Sequence, residues 1–316
     1  MNDQVYFPLH ALMDDVFTKT TTADLQNYYL ALTRGINKWT CYSDYCLDNP
    51  EKPNDVVCFT LMPYISDVDL LSAHIRSLAA VDIKNTNRVH EGFTTFLKEY
   101  PMINFSFIVN ERIRLFGATH TEVKKYLLAT FDFMRQQYIG WSIKQPEQKA
   151  DYAVQIKKID CVSKLLKDGK KVKQIVDLML VSFLGAFVSS HIIKENQIEI
   201  FGWLSDRDAM HEVCGHFSTD MFHYYLHGLS DAKPFRFVAA RAGSSEKPFY
   251  EEMIRIPDYI AGALADFNME SKRISKDKFN TMLEHYMAEN TTNNFVYRIF
   301  QSNGTLSASR VNFHKK

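Results

Sequence analysis

The chain has 316 residues, with Lys+Arg and Asp+Glu equal at 37 each, so its formal charge at neutral pH is zero. Hydrophobic residues make up 46% of it, enough for a sizeable core in one large domain or two small ones, which excludes global disorder. The charge balance also excludes a chain-wide basic footprint for nucleic acid, though not a local basic groove.

In chain order, residues 8–37 are predicted helical: Leu9, Leu12, Met13 and Phe17 recur at helical spacing, and Gly35 ends the region. Residues 38–47 and 55–62 are strand-like runs around a turn-rich connector, Asp48 to Asp55, and predict a β-hairpin. A helix is expected over 66–80 with Ser66 or Asp67 as N-cap, and a second up to Tyr100, where Pro101 breaks it. Ile103 to Val109 predicts a strand and 120–138 a helix. Residues 145–174, rich in lysine, are expected to form a solvated helix and loop or a phosphate-contacting insertion.

Leu178 to Ile193 is apolar enough to raise a membrane question. It is shorter than the roughly 20 residues of a span and contains Ser182, Ser189, Ser190 and His191, so a buried core helix over 172–193 is expected. Ile198 to Leu204 predicts a strand, and Ser205-Asp206-Arg207-Asp208 is expected to open a helix running to about Gly228. Phe235 to Ala240 predicts a strand, 243–248 a loop, and 250–290 mostly helix, with a frayed polar tail from Asn303. This order predicts an α/β layer fold with a mixed sheet. Five cysteines with no CxxC pair are expected to be reduced thiols. Together with Met1-Asn2-Asp3-Gln4, which lacks the basic and apolar regions of a signal peptide, they predict a cytoplasmic protein.

Four carboxylates sit where an element begins or ends. Asp44 is near the end of the first strand, and Asp82 precedes Ile83-Lys84 ahead of a helix. Asp206 follows the strand ending at Leu204, and Asp258 follows Pro257 at an expected helix start. A charge within an apolar element is costly unless paired or bound to metal. Strand ends and helix starts converge at one end of an α/β sheet, where sites usually form.

These motifs, in this order, resemble the ribonuclease H-like (integrase) superfamily. Within it the chain resembles a bacterial family of unknown function whose first strand usually reads Asp-Glu-Ser-Gly; here that strand reads Ser43-Asp44-Tyr45-Cys46. The family's Glu-Ile-Lys segment is similar to Asp82-Ile83-Lys84, and its strand ending in an acid to Ile198 through Asp206. Its Ala-Asp-Leu-Ile-Ala-Gly-Ala helix is similar to Pro257 through Ala263, the most specific of the matches. The resemblance covers roughly 38–270, with a helical insertion near 140–195, an N-terminal helical extension over 1–37, and a C-terminal helical segment and tail over 271–316.

The resemblance implies a metal-dependent nuclease that hydrolyses phosphodiester bonds of DNA or RNA with two Mg²⁺ or Mn²⁺ ions. It implies that Asp44 bridges the metals and that Asp82, Asp206 and Asp258 complete the shell, with Asp208 as a substitute ligand and Lys84 as a phosphate contact. The alternative is a ribonuclease H-like binding protein with an inactive site.

Each acid also has a plainer reading. Asp44 could accept a hydrogen bond from Tyr42, Tyr45 or a backbone amide, and Asp82 and Asp206 could be helix caps. Asp258 suits a first helical turn, where an acid complements the dipole. The histidines offer a third function, a zinc hydrolase. His211 and His216 are five apart, one more than a zinc-protease helix requires. His216, Asp220, His223 and His227 do share one helical stripe that could bind Zn²⁺.

Overall fold

The expected hairpin forms from β1 (Lys38–Cys46) and β2 (Val56–Pro63), paired antiparallel with Asp44 opposite Cys58. The structure, a computed structural model, describes residues 8–240, 250–302 and 305–315. Strand β3 (Ile103–Ile108) continues the antiparallel pairing beside β2. On the other side, β4 (Ile200–Ser205) runs parallel to β1, and β5 (Arg236–Ala239) parallel to β4. Strands β6 (Asn294–Ser302) and β7 (Thr305–Val311) extend the sheet past β3. The result is an α/β architecture around one seven-stranded mixed sheet, ordered β5-β4-β1-β2-β3-β6-β7.

Helices cover both faces. Every residue of β2 and β3 is buried, which is why these strands read as near-continuous apolar runs. One face carries α1 (Pro8–Thr20). Between β1 and β2 on one side and β3 on the other come α2 (Val68–Leu78) and α3 (Glu91–Glu99), which lie on the opposite face. Helices α4 (His120–Lys144), α5 (Lys149–Lys167), α6 (Val172–Glu195) and α7 (Phe217–Leu229) join α1. Helices α8 (Glu251–Asp266) and α9 (Asp277–Met282) join α2 and α3. The α2 N-cap is Asp67, whose carboxylate accepts from the amides of Asp69 and Leu70. Among the described residues α6 alone is long and apolar enough to cross a membrane, and it is packed inside the protein.

Several expectations are corrected. The helix expected from Ser205 to Gly228 is broken: Ala209–Glu212 is one 3₁₀ turn, and α7 starts only at Phe217. Cys214, Gly215 and His216 all have positive φ (49°, 70° and 62°), which no α-helix accommodates. Asp258 is not at a helix start, because α8 begins at Glu251 and carries Pro257 in its interior. The tail is not frayed, since β7 pairs along β6. The five cysteines are not all thiols: Cys161 on α5 and Cys214 are joined by a disulfide, while Cys41, Cys46 and Cys58 are free. The loop expected at 243–248 lies outside the described residues.

Candidate functional site

Alternation along β1 puts Trp39 and Cys41 in one core and Tyr42 in the other, beneath α8. Asp44, two residues beyond Tyr42, therefore faces α8 near the C-terminal end of the strand. Asp206 leaves the sheet next door: its amide donates to the Ser43 carbonyl (3.1 Å), just past the end of β4. Asp44, Asp82, Asp206 and Asp258 all line a single cavity of about 430 Å³, together with Tyr45, Lys52, Lys84, Ser205, Arg207, Tyr250 and Arg255.

Asp258 comes to the cavity from the middle of α8. Its Oδ2 accepts from the Ile83 amide at 2.7 Å, which ties α8 to the segment carrying Asp82. That segment is held at several points. Arg255 Nη1 donates to the Ala79 carbonyl (2.7 Å) and Tyr259 to the Val81 carbonyl (2.9 Å). The buried Lys278 Nζ donates to the carbonyls of Ile83 (2.5 Å) and Thr86 (2.8 Å). Gly262 permits the contact, because a Cβ there would lie 2.6 Å from Ile83 Cγ2. The small-residue face of α8 is thus the surface on which the Asp82 turn rests.

The plainer readings of the acids are now decided by geometry. Asp44 Oδ1 does accept from a backbone amide, that of Tyr45 at 2.8 Å, which leaves Oδ2 for another partner. Asp82 precedes the 3₁₀ turn Ile83–Asn85 but makes no capping hydrogen bond, and its nearest cation is Lys84 Nζ at 3.6 Å. Asp206 is not a cap either. That role belongs to Asp208, whose carboxylate accepts from the Met210 amide (2.8 Å), and Asp208 does not line the cavity.

Electrostatics single out the inner pair. Burial raises the pKa of Asp44 well above the ordinary carboxylate range, and the neighbouring Asp258 and Asp206 raise it further. Burial raises Asp258 to about 6, against the opposing pull of the Ile83 amide. The two carboxyls face each other closely enough that each perturbs the other's ionisation. Burial also raises Asp206, and Asp82 adds to the effect. Two carboxyl groups in contact without a cation between them share a proton, since both cannot ionise cheaply.

A buried polar chain missed by sequence reading braces the strand ends. The Trp203 indole donates to Ser43 Oγ (2.9 Å), which lies 2.6 Å from the Tyr45 hydroxyl. That hydroxyl is 2.9 Å from Ser205 Oγ, Ser205 Oγ is 2.9 Å from His211 Nε2, and His211 Nδ1 is 2.8 Å from Ser218 Oγ. Burial lowers the His211 pKa to about 4, so the ring is neutral at physiological pH, with one donor and one acceptor nitrogen that fit this chain. The network crosses from β1 to β4 at the level of Asp44 and Asp206. The only sequence signal for it was the His211–His216 pair, weighed above as a zinc motif.

The histidine stripe is not gathered. The His223 ring stacks on Phe237 (4.7 Å between centroids), while Asp220 accepts from Lys158 (2.5 Å) and Gln155 (2.9 Å). As the side chains stand, no three carboxylate, imidazole or thiol groups among the described residues surround one ion position. The donor set at the cavity nevertheless suits a hard divalent ion, which takes carboxylate oxygen. A dication would offset the burial and mutual repulsion that raise the pKa of Asp44 and Asp258, and Asp82 and Asp206 line the same cavity with no capping role to give up. No protein-family model matches the chain, and neither a curated protein nor a solved structure matches it.

Proposed function

We propose that the chain is a metal-dependent nuclease with a ribonuclease H-like core, which hydrolyses phosphodiester bonds of DNA or RNA at the cavity formed by Asp44, Asp82, Asp206 and Asp258. The observation that carries this reading is the convergence of four acids, from four separate stretches of chain, on one cavity. The mixed sheet flanked by helices supports the fold assignment.

Asp44 and Asp258 are the residues best placed to hold Mg²⁺ or Mn²⁺, with Asp206 and Asp82 completing the shell from the rim. Two such ions would supply an activated water and stabilise the departing 3′ oxygen. The chain's own part is positioning. The Ile83 amide orients Asp258, the Tyr45 amide orients Asp44, and the Tyr45–Ser205–His211 chain holds β1 and β4 at a set spacing. Lys84 and Arg207 line the same cavity, where a cation can receive a substrate phosphate.

The test is cleavage of labelled DNA and RNA, single- and double-stranded, with Mg²⁺ or Mn²⁺. Asp44→Ala and Asp258→Ala are each expected to lose more than the roughly 10–100-fold that follows loss of even an outer-sphere partner. Absence of cleavage by the wild-type protein on every substrate, or full activity in both variants, overturns the reading.

A further inference from the structure

The lysine-rich stretch between α5 and α6 has no role in the cavity. Residues 164–173 contain five lysines (164, 167, 170, 171 and 173) and one acid, Asp168, in a chain whose net charge is zero. All five lysines are exposed. A merely solvated face has no need of such a one-sign run, which repels itself.

The fold puts this run at the same end of the sheet as the four acids. Arg112, buried just after β3, is the anchor. Its guanidinium donates to Asp48 (2.6 Å) and Asp55 (2.6 Å) of the β1–β2 loop and to Asp177 (2.5 Å) of α6. Lys173, in the first turn of α6, pairs with Asp48 from the other side. The β1–β2 loop is therefore clamped against the N-terminal end of α6. Asn49 and Lys52 of that loop line the carboxylate cavity, and with Asp48 and Asp55 they also line a second hollow beside it. Lys170 and Lys171 lie just before Lys173, the residue paired with the loop, and the Lys167 carbonyl accepts from the Lys124 ammonium at 2.6 Å. The loop acids Asp48 and Asp55 are paired with Arg112 and Lys173, and not with Lys167, Lys170 or Lys171.

We propose that Lys167, Lys170 and Lys171 form a second contact for the phosphodiester backbone, so that a polynucleotide lies across this end of the sheet with one part at the carboxylate cavity and a flanking part on the α5–α6 turn. This inference rests on the nuclease reading for its ligand, but binding and cutting are separable in its test. A backbone track of this kind reads charge and not sequence.

The experiment compares wild type with a triple variant carrying Lys167→Ala, Lys170→Ala and Lys171→Asn. Asparagine is used at 171 because that residue has φ 53°. Binding of labelled DNA and RNA oligonucleotides of about 30 nucleotides is measured in EDTA across a salt series, where each phosphate contact contributes about 0.7–0.9 to the slope. The triple variant is expected to lose about 2–3 from that slope and to bind roughly tenfold more weakly at low salt. Replacing all three lysines with Arg should preserve both, and the metal-dependent hydrolysis of a small phosphodiester, bis(4-nitrophenyl) phosphate, should be unchanged in either variant. A triple variant with the wild-type slope overturns the lysine track and leaves the carboxylate reading standing. Wild-type protein that binds no polynucleotide also overturns it. Lysine-dependent binding without any cleavage upholds the track and removes the nuclease reading.

Discussion

Asp258 is a residue whose chemistry and stability pull in opposite directions. Its pKa is raised to about 6, so ionising it in the fold costs more than in the unfolded chain. Asp258→Asn is nearly isosteric and keeps an oxygen for the Ile83 amide. It is expected to raise the metal-free unfolding free energy by about 1–2 kcal/mol at neutral pH while abolishing cleavage. A urea titration checks this, and a less stable variant would mark Asp258 as a structural residue. Gly262 is the opposite kind of position, where space is the only issue. In an open helix Gly→Ala gains about 0.5–1 kcal/mol, but here the new Cβ meets Ile83 at 2.6 Å. Overpacking of about 1–3 kcal/mol outweighs that gain, so Gly262→Ala should lower the urea midpoint and displace the Asp82 turn.

At the level of elements, the site depends on how α8 and α6 grip the loops at one end of the sheet. α8 holds the 79–86 segment through Arg255, Asp258 and Tyr259, and Lys278 holds it from α9. On the other face Arg112 joins the β1–β2 loop to α6 through three acids, of which Asp177 is the most buried. Arg112→Ala leaves Asp177 without its counter-charge. Breaking a buried pair from one side costs about 3–5 kcal/mol, and the partial exposure of Asp48 and Asp55 places this variant near the lower end. Chemical denaturation should show that loss. The loop should also become more open to proteolysis than α8, because only its own anchor is gone.

At the scale of the whole molecule, the carboxylate cavity gives stability a dependence on pH. Asp44, Asp206 and Asp258 all have folded pKa values above the ordinary carboxylate value. Between that value and the raised ones the folded chain binds more protons than the unfolded chain, so stability falls as pH rises. The metal-free protein is expected to be more stable near pH 4–5 than near pH 7 as far as these groups are concerned, with most of the change complete once pH passes about 6 for Asp258. Mg²⁺ or Mn²⁺ should restore stability at pH 7 and do little at pH 5, where protons compete for the same oxygens. Melting temperatures at the two pH values, with and without metal, check this. An equal metal effect at both would contradict the assignment of these acids as ligands.

Local pattern was enough for much of this protein. The β1–β2 hairpin, the Asp67 cap, the buried α6 and the positions of Asp44, Asp82 and Asp206 beside strands and turns follow from periodicity and turn chemistry, which act within a few residues. Periodicity predicts no strand at Asn294–Ser302, where β6 forms, and the polar stretch expected to fray contains β7. A polar edge strand such as Thr305–Val311 has little signature until its neighbour is known. The Asp258 error had a local cause: Pro257 reads as a helix start, yet α8 tolerates it in its interior, where tertiary packing outweighs a missing amide. The disulfide, the Tyr45–Ser205–His211 chain and the Arg112 clamp join residues distant in sequence, so no local pattern could have shown them. The sequence by itself determined which acids are out of place in apolar surroundings. Only the tertiary structure decided that four of them meet, that burial raises the pKa of Asp44 and Asp258 side by side, and that a lysine-rich turn is clamped at the same end of the sheet, because contact across the sheet depends on how distant elements pack.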